Sequence, residues 1–368
     1  MIAPQMPLAK TRAARDARPY GKAEGGMAQT VGFIGLGSLG AKLAGSLLRN
    51  GIDLAVSDLD AARAGALVAR GARDGGGPAE LIERCDTVIT CLPSPAASDA
   101  VLQAMLPGIG PGKTWMEMST TDAAELRRHA EEVARRGGRA VECPVSGGCH
   151  RAATGNISIF AGGDRESVEH VLPLLTILGR RVLHTGPIGS ASTLKVMTNY
   201  LATANLLSLC EALVTMKAAG LDMATTYEAI RISSGTSFVH ETESQLILSG
   251  ARDVNFTLDL VQKDIGLFQR IAEAHGVPLE LSPEIIRIVT DAQARLGAAA
   301  QSDRIVERLE AATGLEVLAE GFPGELVDEE PEARGYEVFP PGRPVMPAPE
   351  EPSERPARPS APPDPAEV

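Results

Sequence analysis

Short apolar runs alternate with segments of helical spacing between residues 31 and 186, and this alternation limits the fold more than any other feature of the sequence. The runs typical of strands are VGFI, LAVS, TVIT, TWMEM, RAVEC, ISIF and RVLHT. Between several of them lie stretches with the spacing of amphipathic helices, such as AKLAGSLLRN and DAAELRRHAEEVARR. This order predicts a parallel sheet covered by helices, which is a doubly wound α/β domain.

The sequence after residue 189 contains no convincing strand. Its apolar segments include TTYEAIRIS, FTLDLVQKDIGLFQRIAEAHG, PEIIRIVTDAQARLG and SDRIVERLEAATG, and they predict an all-helical second domain. The first helical segment contains SASTLKVMTNY and has no charged residue from Val196 to Cys210. These 15 uncharged residues are fewer than the roughly 20 that a membrane span needs, so we predict a buried core helix and no membrane partner.

The two ends of the chain differ in composition from its middle. The last 46 residues hold 13 of the 26 prolines and 4 arginines against 11 acidic residues, a composition that predicts disorder. The first 26 residues are rich in arginine and lack an apolar stretch, which argues against a secretory signal and leaves a transit peptide open. We therefore predict a disordered N-terminal extension (1–28), an α/β domain (29–188), a helical domain (189–315) and a disordered tail (316–368).

Cysteine and charge patterns narrow the setting. The 5 cysteines form no CxxC pair, and the 6 histidines show no HxxxH or HExxH spacing. These patterns predict a reducing compartment, the cytoplasm, and no metal site. The net charge of −12 and the lack of a basic stripe with interleaved aromatic residues argue against nucleic acid as a partner.

The segment VGFIGLGSLG contains the pattern GxGxxG at Gly35, Gly37 and Gly40. It follows a predicted strand and precedes a predicted helix, and Asp58 ends the next strand about 20 residues downstream, as in dinucleotide-binding loops. The glycines let a pyrophosphate approach the helix N-terminus, where free N–H groups favour anions. Because Asp58 can accept bonds from the adenosine ribose and repels a 2′-phosphate, the loop predicts NAD over NADP. The alternative is a glycine-rich turn with an aspartate that caps the next helix.

Four further stretches occur in order, and they are CLPSP (91–95), MEMSTTDAAE (116–125), ECPVSGG (142–148) and TLKVMTNY (193–200). Together with the glycine loop and FTLDLVQKDIGL (256–267), they resemble the β-hydroxyacid dehydrogenases, the family that includes 3-hydroxyisobutyrate dehydrogenase. The resemblance spans roughly residues 30 to 315. It implies an N-terminal Rossmann-type domain, a long interdomain helix, an all-helical domain that forms a homodimer or homotetramer, and an active site between the domains.

The resemblance also implies roles for the residues that match the motifs. Lys195 becomes the catalytic acid/base, and Asn199 helps to orient the substrate. The substrate carboxylate is expected at Ser146, Gly147 and Gly148. The residues expected to hold the cofactor are Gly35, Leu36, Gly37, Ser38, Leu39, Gly40, Asp58, Leu92, Pro93, Thr120 and Lys263.

Lys195 stands out even without the resemblance, because it begins the uncharged segment. A lysine there either packs its stem on the core with the ammonium in water, or works as a buried amine. Burial and a nearby nicotinamide cation would both disfavour the ammonium and bring its pKa to roughly 7–8, where the amine can accept the proton of an alcohol. Asn199 lies one helical turn on, so its side chain shares a face with that of Lys195.

The predicted function is NAD-dependent oxidation of a small 3-hydroxy acid similar to 3-hydroxyisobutyrate. One alternative is an NADPH-dependent reductase of a semialdehyde or glyoxylate-type substrate, which Asp58 disfavours. Another is a catalytically inactive dinucleotide-binding scaffold, which would be expected to lose Lys195, Asn199 or the Ser-Gly-Gly turn. Imine reductases share the architecture and typically lack the lysine.

The sequence departs from the family pattern at two places. Thr198 stands where the family has asparagine, and Cys149-His150-Arg151 follows the Ser-Gly-Gly turn where relatives carry other triplets. These departures leave the identity of the substrate open. Arg151 is expected either to pair with a second anionic group of the substrate or to lie at the surface.

Overall fold

The computed structural model describes residues 30–341. The predicted N-terminal extension and the last part of the predicted tail lie outside this range. The elements of the α/β domain are β1 (Val31–Ile34), α1 (Gly40–Arg49), β2 (Leu54–Ser57), α2 (Ala61–Val68), β3 (Arg73–Asp74), α3 (Pro78–Arg84), β4 (Thr87–Thr90), α4 (Pro95–Met105), β5 (Thr114–Glu117), α5 (Ala123–Arg135), β6 (Arg139–Glu142), β7 (Val145–Ser146), α6 (Gly148–Ala153), β8 (Ile157–Gly162), α7 (Arg165–Leu178) and β9 (Gly179–Gly186). The elements that follow are α8 (Ser190–Ala218), α9 (Met223–Arg231), α10 (Phe238–Ser249), α11 (Leu258–Ala274), α12 (Leu281–Leu296), α13 (Glu307–Thr313) and β10 (Tyr336–Val338), with short 3-10 helices at Leu106–Gly108 and Ser302–Val306.

One sheet organises the α/β domain, with the strands in the order β10-β9-β8-β6-β5-β4-β1-β2-β3 and β7 paired to β8. The pairs among β1 to β6 are parallel, as the alternating sequence pattern predicts. Strand β1 lies between β2 and β4, so the strand order reverses beside it. In doubly wound sheets a ligand crevice opens at such a reversal, beyond the carboxyl ends of the strands.

The sheet departs from the predicted parallel arrangement at β8. This strand is antiparallel to β6 and to β7, and it is parallel to β9. The chain reverses at Gly147 and Gly148, whose φ values are 130° and 81°. Because the following helix α6 has only 6 residues, it does not carry the chain back across the sheet as a full crossover helix would.

Two hydrophobic layers cover the sheet, because successive strand residues point to opposite faces. On one face Phe33 packs with Leu43 of α1 and Leu174 of α7. On the other face Ile34 belongs to a separate cluster that includes residues of α3, α4 and α5, among them Leu102. The predicted doubly wound architecture is therefore confirmed.

Helix α8 forms the centre of the helical domain. By length and composition alone it could cross a membrane, so the count of uncharged residues underestimated its apolar length. In the folded chain, Leu206, Leu209 and Leu213 belong to a buried cluster that also contains Val261 of α11 and Val289 of α12. Part of the apolar surface of α8 is thus buried against other helices of the domain, while Leu201 is 50% exposed.

The predicted disordered tail (316–368) is wrong for its first part. Val317 is fully buried in the helical domain. Residues 323–338, which we call the C-terminal strap, then lie along the α/β domain, and their strand β10 pairs in parallel with β9. The composition of the tail did not indicate this order, because the strap makes polar contacts with the α/β domain. The fully buried Asn156 donates hydrogen bonds to the Asp328 carboxylate at 2.7 Å and to the Glu330 carbonyl oxygen at 2.6 Å.

Candidate active site

A cavity of about 990 Å³ lies between the α/β domain and the helical domain. Nearly all the predicted site residues line it, namely Gly35, Gly37, Ser38, Leu39, Gly40, Asp58, Leu92, Pro93, Thr120, Ser146, Gly147, Gly148, Lys195, Asn199 and Lys263. Leu36 is the exception, because its side chain is 2% exposed and packs in the core. Its backbone N–H donates to Asp58, so Leu36 shapes the glycine loop from behind.

The glycine loop fits tightly against the sheet and leaves room on its other side. Gly35 has φ +95°, and a Cβ on it would lie 2.3 Å from the Cys91 carbonyl oxygen. A Cβ on Gly40 would lie 1.9 Å from the Gly35 carbonyl oxygen. A Cβ on Gly37 would meet no atom within 4 Å, and Gly37 lines the cavity. The loop therefore offers open space for a pyrophosphate at the start of α1, which is the fit that NAD requires.

Asp58 lies at the carboxyl end of β2 and lines the cavity. Its carboxylate accepts hydrogen bonds from the backbone N–H of Leu36 at 2.6 Å and from that of Asp60 at 2.8 Å. The cap of α2 is Asp60, whose side chain accepts from the Ala62 N–H. Asp58 is thus held at the rim of the loop, and it is not the helix cap that the alternative interpretation of the sequence proposed.

The next wall of the cavity is built by Leu92 and Pro93 after β4 and by Thr120 after β5. The Leu92 N–H donates to Ser119 Oγ at 2.7 Å, and the Ser119 N–H donates to the buried Glu117 carboxyl at 2.8 Å. Burial raises the pKa of Glu117. These bonds fix the backbone of two adjacent strand ends, where the nicotinamide end of a dinucleotide is expected.

The turn Ser146-Gly147-Gly148 faces the same space from the end of β7. Both glycines have positive φ, which only glycine adopts readily. Such turns form concave backbone surfaces suited to anions. The predicted carboxylate-binding turn therefore lies in the same cavity as Lys195.

Lys195 takes part in a network that reaches across helix α8 to α11. Its Nζ donates to Asn199 Oδ1 at 2.7 Å, and Asn199 Nδ2 donates to the carboxylate of Asp264. Asp264 is 1% exposed. Because a carboxylate only accepts hydrogen bonds, Asp264 fixes the amide of Asn199 with its oxygen toward Lys195.

The environment of Lys195 lowers the basicity of its amine. The residue is 8% exposed. Burial lowers its pKa to about 8, the Asp264 carboxylate opposes this change, and the Lys263 ammonium adds to it. The amine can therefore both take up and release a proton near neutral pH, which supports the buried-amine interpretation over a lysine whose ammonium lies in water.

Lys263 connects the two domains across the cavity. Its Nζ donates to the Thr120 carbonyl oxygen at 2.9 Å and lies 3.1 Å from Asp264 Oδ1. Residue 263 belongs to α11 and residue 120 follows β5. The predicted position of Lys263 over the cofactor side of the site is consistent with this contact.

A buried carboxylate fixes the start of α8. Glu142, at the end of β6, accepts hydrogen bonds from the N–H groups of Gly189, Ala191 and Ser192 and from Ser192 Oγ. Burial raises its pKa, and these bonds oppose the rise. The first N–H groups of a helix have no partners within the helix. The Glu142 carboxylate accepts hydrogen bonds from these groups at the start of α8, and it therefore sets the position of Lys195.

Sequence reasoning gave no role to Glu142, Asp264 or Phe238, and it placed His150 near the site without a role. Both His150 and Phe238 line the cavity. Asp264 lies inside the matched segment FTLDLVQKDIGL, so the charged pair with Lys263 was a usable signal. Glu142 also lies inside a matched segment, ECPVSGG. No local pattern indicated that Phe238 would meet the residues after the Ser-Gly-Gly turn.

Comparison with known proteins identifies both parts of the chain. Residues 30–186 match the NAD binding domain of 6-phosphogluconate dehydrogenase, and residues 189–309 match the NAD-binding domain of NADP-dependent 3-hydroxyisobutyrate dehydrogenase. The 2-(hydroxymethyl)glutarate dehydrogenase of Eubacterium barkeri is 30% identical over 291 residues, which cover 78% of this chain and 97% of that enzyme.

Two further comparisons, one of sequence and one of structure, extend this result. Human cytokine-like nuclear factor N-PAC is 31% identical over 254 residues, which cover 68% of this chain and 46% of that protein. The crystal structure of 3-hydroxyisobutyrate dehydrogenase from Salmonella typhimurium is 25% identical, with a TM-score of 0.71 over 76% of this chain and 99% of that one. Together with the cavity and its lysine, these matches show that the chain belongs to the β-hydroxyacid dehydrogenase family of NAD(P)-dependent hydroxyacid dehydrogenases.

Proposed function

We propose that the protein oxidises a small 3-hydroxy acid with NAD, and that Lys195 is the general acid/base. One observation carries the proposal: a buried lysine with a pKa of about 8 lies in the same cavity as a glycine loop and the Ser146-Gly147-Gly148 turn. Each of these features also occurs in proteins with other functions. Their presence together in one cavity between two domains supports hydroxy-acid chemistry.

The substrate is held by its carboxylate on the Ser146-Gly147-Gly148 turn in this proposal. Its hydroxyl group then faces Lys195, which reaches the cavity from α8. Asn199 keeps the lysine amine on its cavity side through the 2.7 Å bond and is itself fixed by Asp264. Such positioning makes proton transfer effectively intramolecular.

The neutral amine of Lys195 takes the proton of the substrate hydroxyl during oxidation, and the ammonium returns it in the reverse direction. NAD, when bound along the glycine loop, supplies the hydride acceptor. The ammonium that forms is stabilised by the Asn199 oxygen and by the Asp264 carboxylate behind it. Lys263, bonded to Thr120, keeps the helical domain against the cofactor side of the site.

The test is to incubate the protein with a panel of 3-hydroxy acids, in the presence of NAD or of NADP, and to measure formation of the reduced cofactor by its absorbance. Turnover of at least one such acid is expected. N-PAC, which matches over less than half its length, is not named as an enzyme, so a dinucleotide-binding scaffold is the second candidate. Tight binding of NAD without turnover of any acid or aldehyde acid in the panel would favour the scaffold.

We expect a preference for NAD because the Asp58 carboxylate stands at the rim of the glycine loop. A 2′-phosphate there would meet this negative charge, while ribose hydroxyls would donate to it. Arg63, which also lines the cavity and pairs with Asp60 at 3.4 Å, could instead attract a phosphate. Asp58→Ala should therefore narrow the ratio of kcat/KM values for NAD and NADP by roughly tenfold, about 1.4 kcal/mol.

The same kinetic assay provides the control for this cofactor preference. Asp53→Ala should leave the ratio close to that of the wild type, because Asp53 pairs with Arg73 before the start of β2 and does not line the cavity. A wild-type protein that uses NADP as well as NAD would show that the assignment is wrong. Assembly as a homodimer or homotetramer and a cytoplasmic location remain proposals from the sequence, and light scattering tests the first.

A further inference from the structure

His150 lies where a substrate held by the Ser-Gly-Gly turn would extend. It belongs to the first turns of α6, directly after the turn, and it lines the cavity. Its imidazole folds back over the turn: a Cβ on Gly148 would lie 3.0 Å from His150 Cε1 and 3.1 Å from Nδ1. The ring is therefore next to the backbone that is expected to hold the substrate carboxylate.

The helical domain fixes the orientation of this imidazole. The ring of His150 stacks on that of Phe238, with a centroid distance of 6.4 Å and an interplanar angle of 12°. Phe238 begins α10 and also lines the cavity. Within residues 30–341, neither ring nitrogen of His150 has a hydrogen-bond partner. An imidazole held by stacking, with both nitrogens free beside a cavity, is able to bind a ligand.

The charges around His150 favour an anion. Arg151 is its immediate neighbour, and the guanidinium carbon lies 4.9 Å from the centroid of the Phe238 ring. Burial and this guanidinium lower the pKa of His150, while Asp328 of the strap opposes them. Asp328 is engaged with Thr154 and Asn156, so its charge is partly neutralised by their donors. The prediction that Arg151 itself reaches the substrate is not supported, because Arg151 stacks on Phe238 and does not line the cavity.

We propose that the His150 imidazole donates a hydrogen bond to a second carboxylate of the substrate, so that the enzyme prefers 3-hydroxy acids with two carboxyl groups. This inference rests on the proposed function, since it assumes that the first carboxylate occupies the Ser146-Gly147-Gly148 turn. The flat face of Phe238 beside the imidazole can cover the methylene groups that join the second carboxylate to the reacting part. The substrate class is then a 3-hydroxypropanoate whose C2 substituent is a short chain that ends in a carboxylate.

Two substrates make a matched pair for the test. Both 3-hydroxyisobutyrate and 2-(hydroxymethyl)glutarate are 3-hydroxypropanoates, and they differ at C2 by a methyl group against a carboxyethyl group. With saturating NAD, the wild type should have a higher kcat/KM for the diacid. His150→Ala should lower kcat/KM for the diacid by about 10- to 100-fold, the usual scale for a lost bond to a charged group, and change the monoacid value by less than about threefold. His150→Gln, which keeps an N–H donor, should recover part of the loss.

His170→Ala is the matched control, because it removes an exposed imidazole of α7 that does not line the cavity. It should change the two kcat/KM values by a similar factor. Equal losses for both substrates in His150→Ala, or a wild type that prefers the monoacid, would overturn the inference while leaving the proposed reaction intact.

A binding measurement separates this inference from the proposed reaction. Calorimetric titration of 2-(hydroxymethyl)glutarate into the NAD-saturated protein should give an affinity that falls at least tenfold in His150→Ala. If neither acid is oxidised but this difference is observed, the second-carboxylate site stands and the proposed reaction fails. If the affinity does not depend on His150, or the diacid does not bind, the site is refuted whatever the turnover.

Discussion

Lys195→Ala should lower turnover about 100-fold or more while the protein still folds and binds NAD, because the loss of a general base usually costs this much. The variant keeps a good helix former in α8, and the N–H groups that Glu142 accepts from precede residue 195. Lys195→Arg should be no better than alanine, because a guanidinium does not release its proton near neutral pH. Lys217→Ala is the matched control on the last turn of the same helix and should keep wild-type turnover.

The dependence on pH gives an independent measurement of the same group. Oxidation needs the neutral amine, so its rate should rise with pH through the Lys195 pKa of about 8 and level off above it. Reduction needs the ammonium as proton donor and should fall over the same range. A Lys195→Arg protein with nearly wild-type turnover and the same pH profile would rule out proton transfer by Lys195.

The parts of the site that depend on local geometry could be predicted from the sequence. Gly35, Gly37 and Gly40 are required at fixed positions of one tight turn, and Lys195 and Asn199 lie one helical turn apart. In each case the spacing along the chain determines the spacing in space. The helical domain was likewise predictable, because its amphipathic segments retain helical spacing along the chain.

The supporting contacts could not be predicted in the same way, because they join residues far apart in the chain. Glu142 and Ser192 are 50 residues apart, and Asn199 and Asp264 are 65 apart. Only the packing of complete domains determines which buried carboxylate reaches which helix. The core position of the Leu36 side chain could not be predicted for a related reason, since the motif specifies a loop backbone and does not specify which side chains face the core.

Strand β10 shows how average composition can hide a short element. It has 3 residues in a segment rich in proline and acidic side chains, and its pairing depends on the exposed edge of β9. The acidic side chains of the strap find donors on the α/β domain: Glu330 pairs with Arg180 at 3.0 Å, and Glu332 pairs with Arg49 at 3.1 Å. A segment that has few apolar groups to bury can therefore still be ordered by polar contacts with a preformed surface.

Removal of residues 323–368 should destabilise the protein by about 3–5 kcal/mol, because one buried side chain loses its partners and several surface contacts are lost together. Asn156 is fully buried, and the deletion removes both groups to which its Nδ2 donates. The edge of β9 would lose its pairing with β10, and Arg180 would lose Glu330. Thermal unfolding followed by circular dichroism should show a decrease in Tm of roughly 5–10 °C.

Two further variants show whether the strap itself is responsible. Removal of residues 342–368 alone should leave Tm unchanged within about 1 °C, because the composition of that segment gives it little apolar surface to bury.

Asp328→Ala in the full chain removes one acceptor of Asn156 and of Thr154, and it should lower the free energy of unfolding by about 1–3 kcal/mol. Equal Tm values for the two deletions would mean that the strap contributes nothing to the stability of the folded chain. A loss confined to the longer deletion, with a smaller loss in Asp328→Ala, would locate the stabilisation at the contact between the strap and the edge of the α/β domain. Because Leu326 lines the cavity, the longer deletion should also raise KM for the substrate.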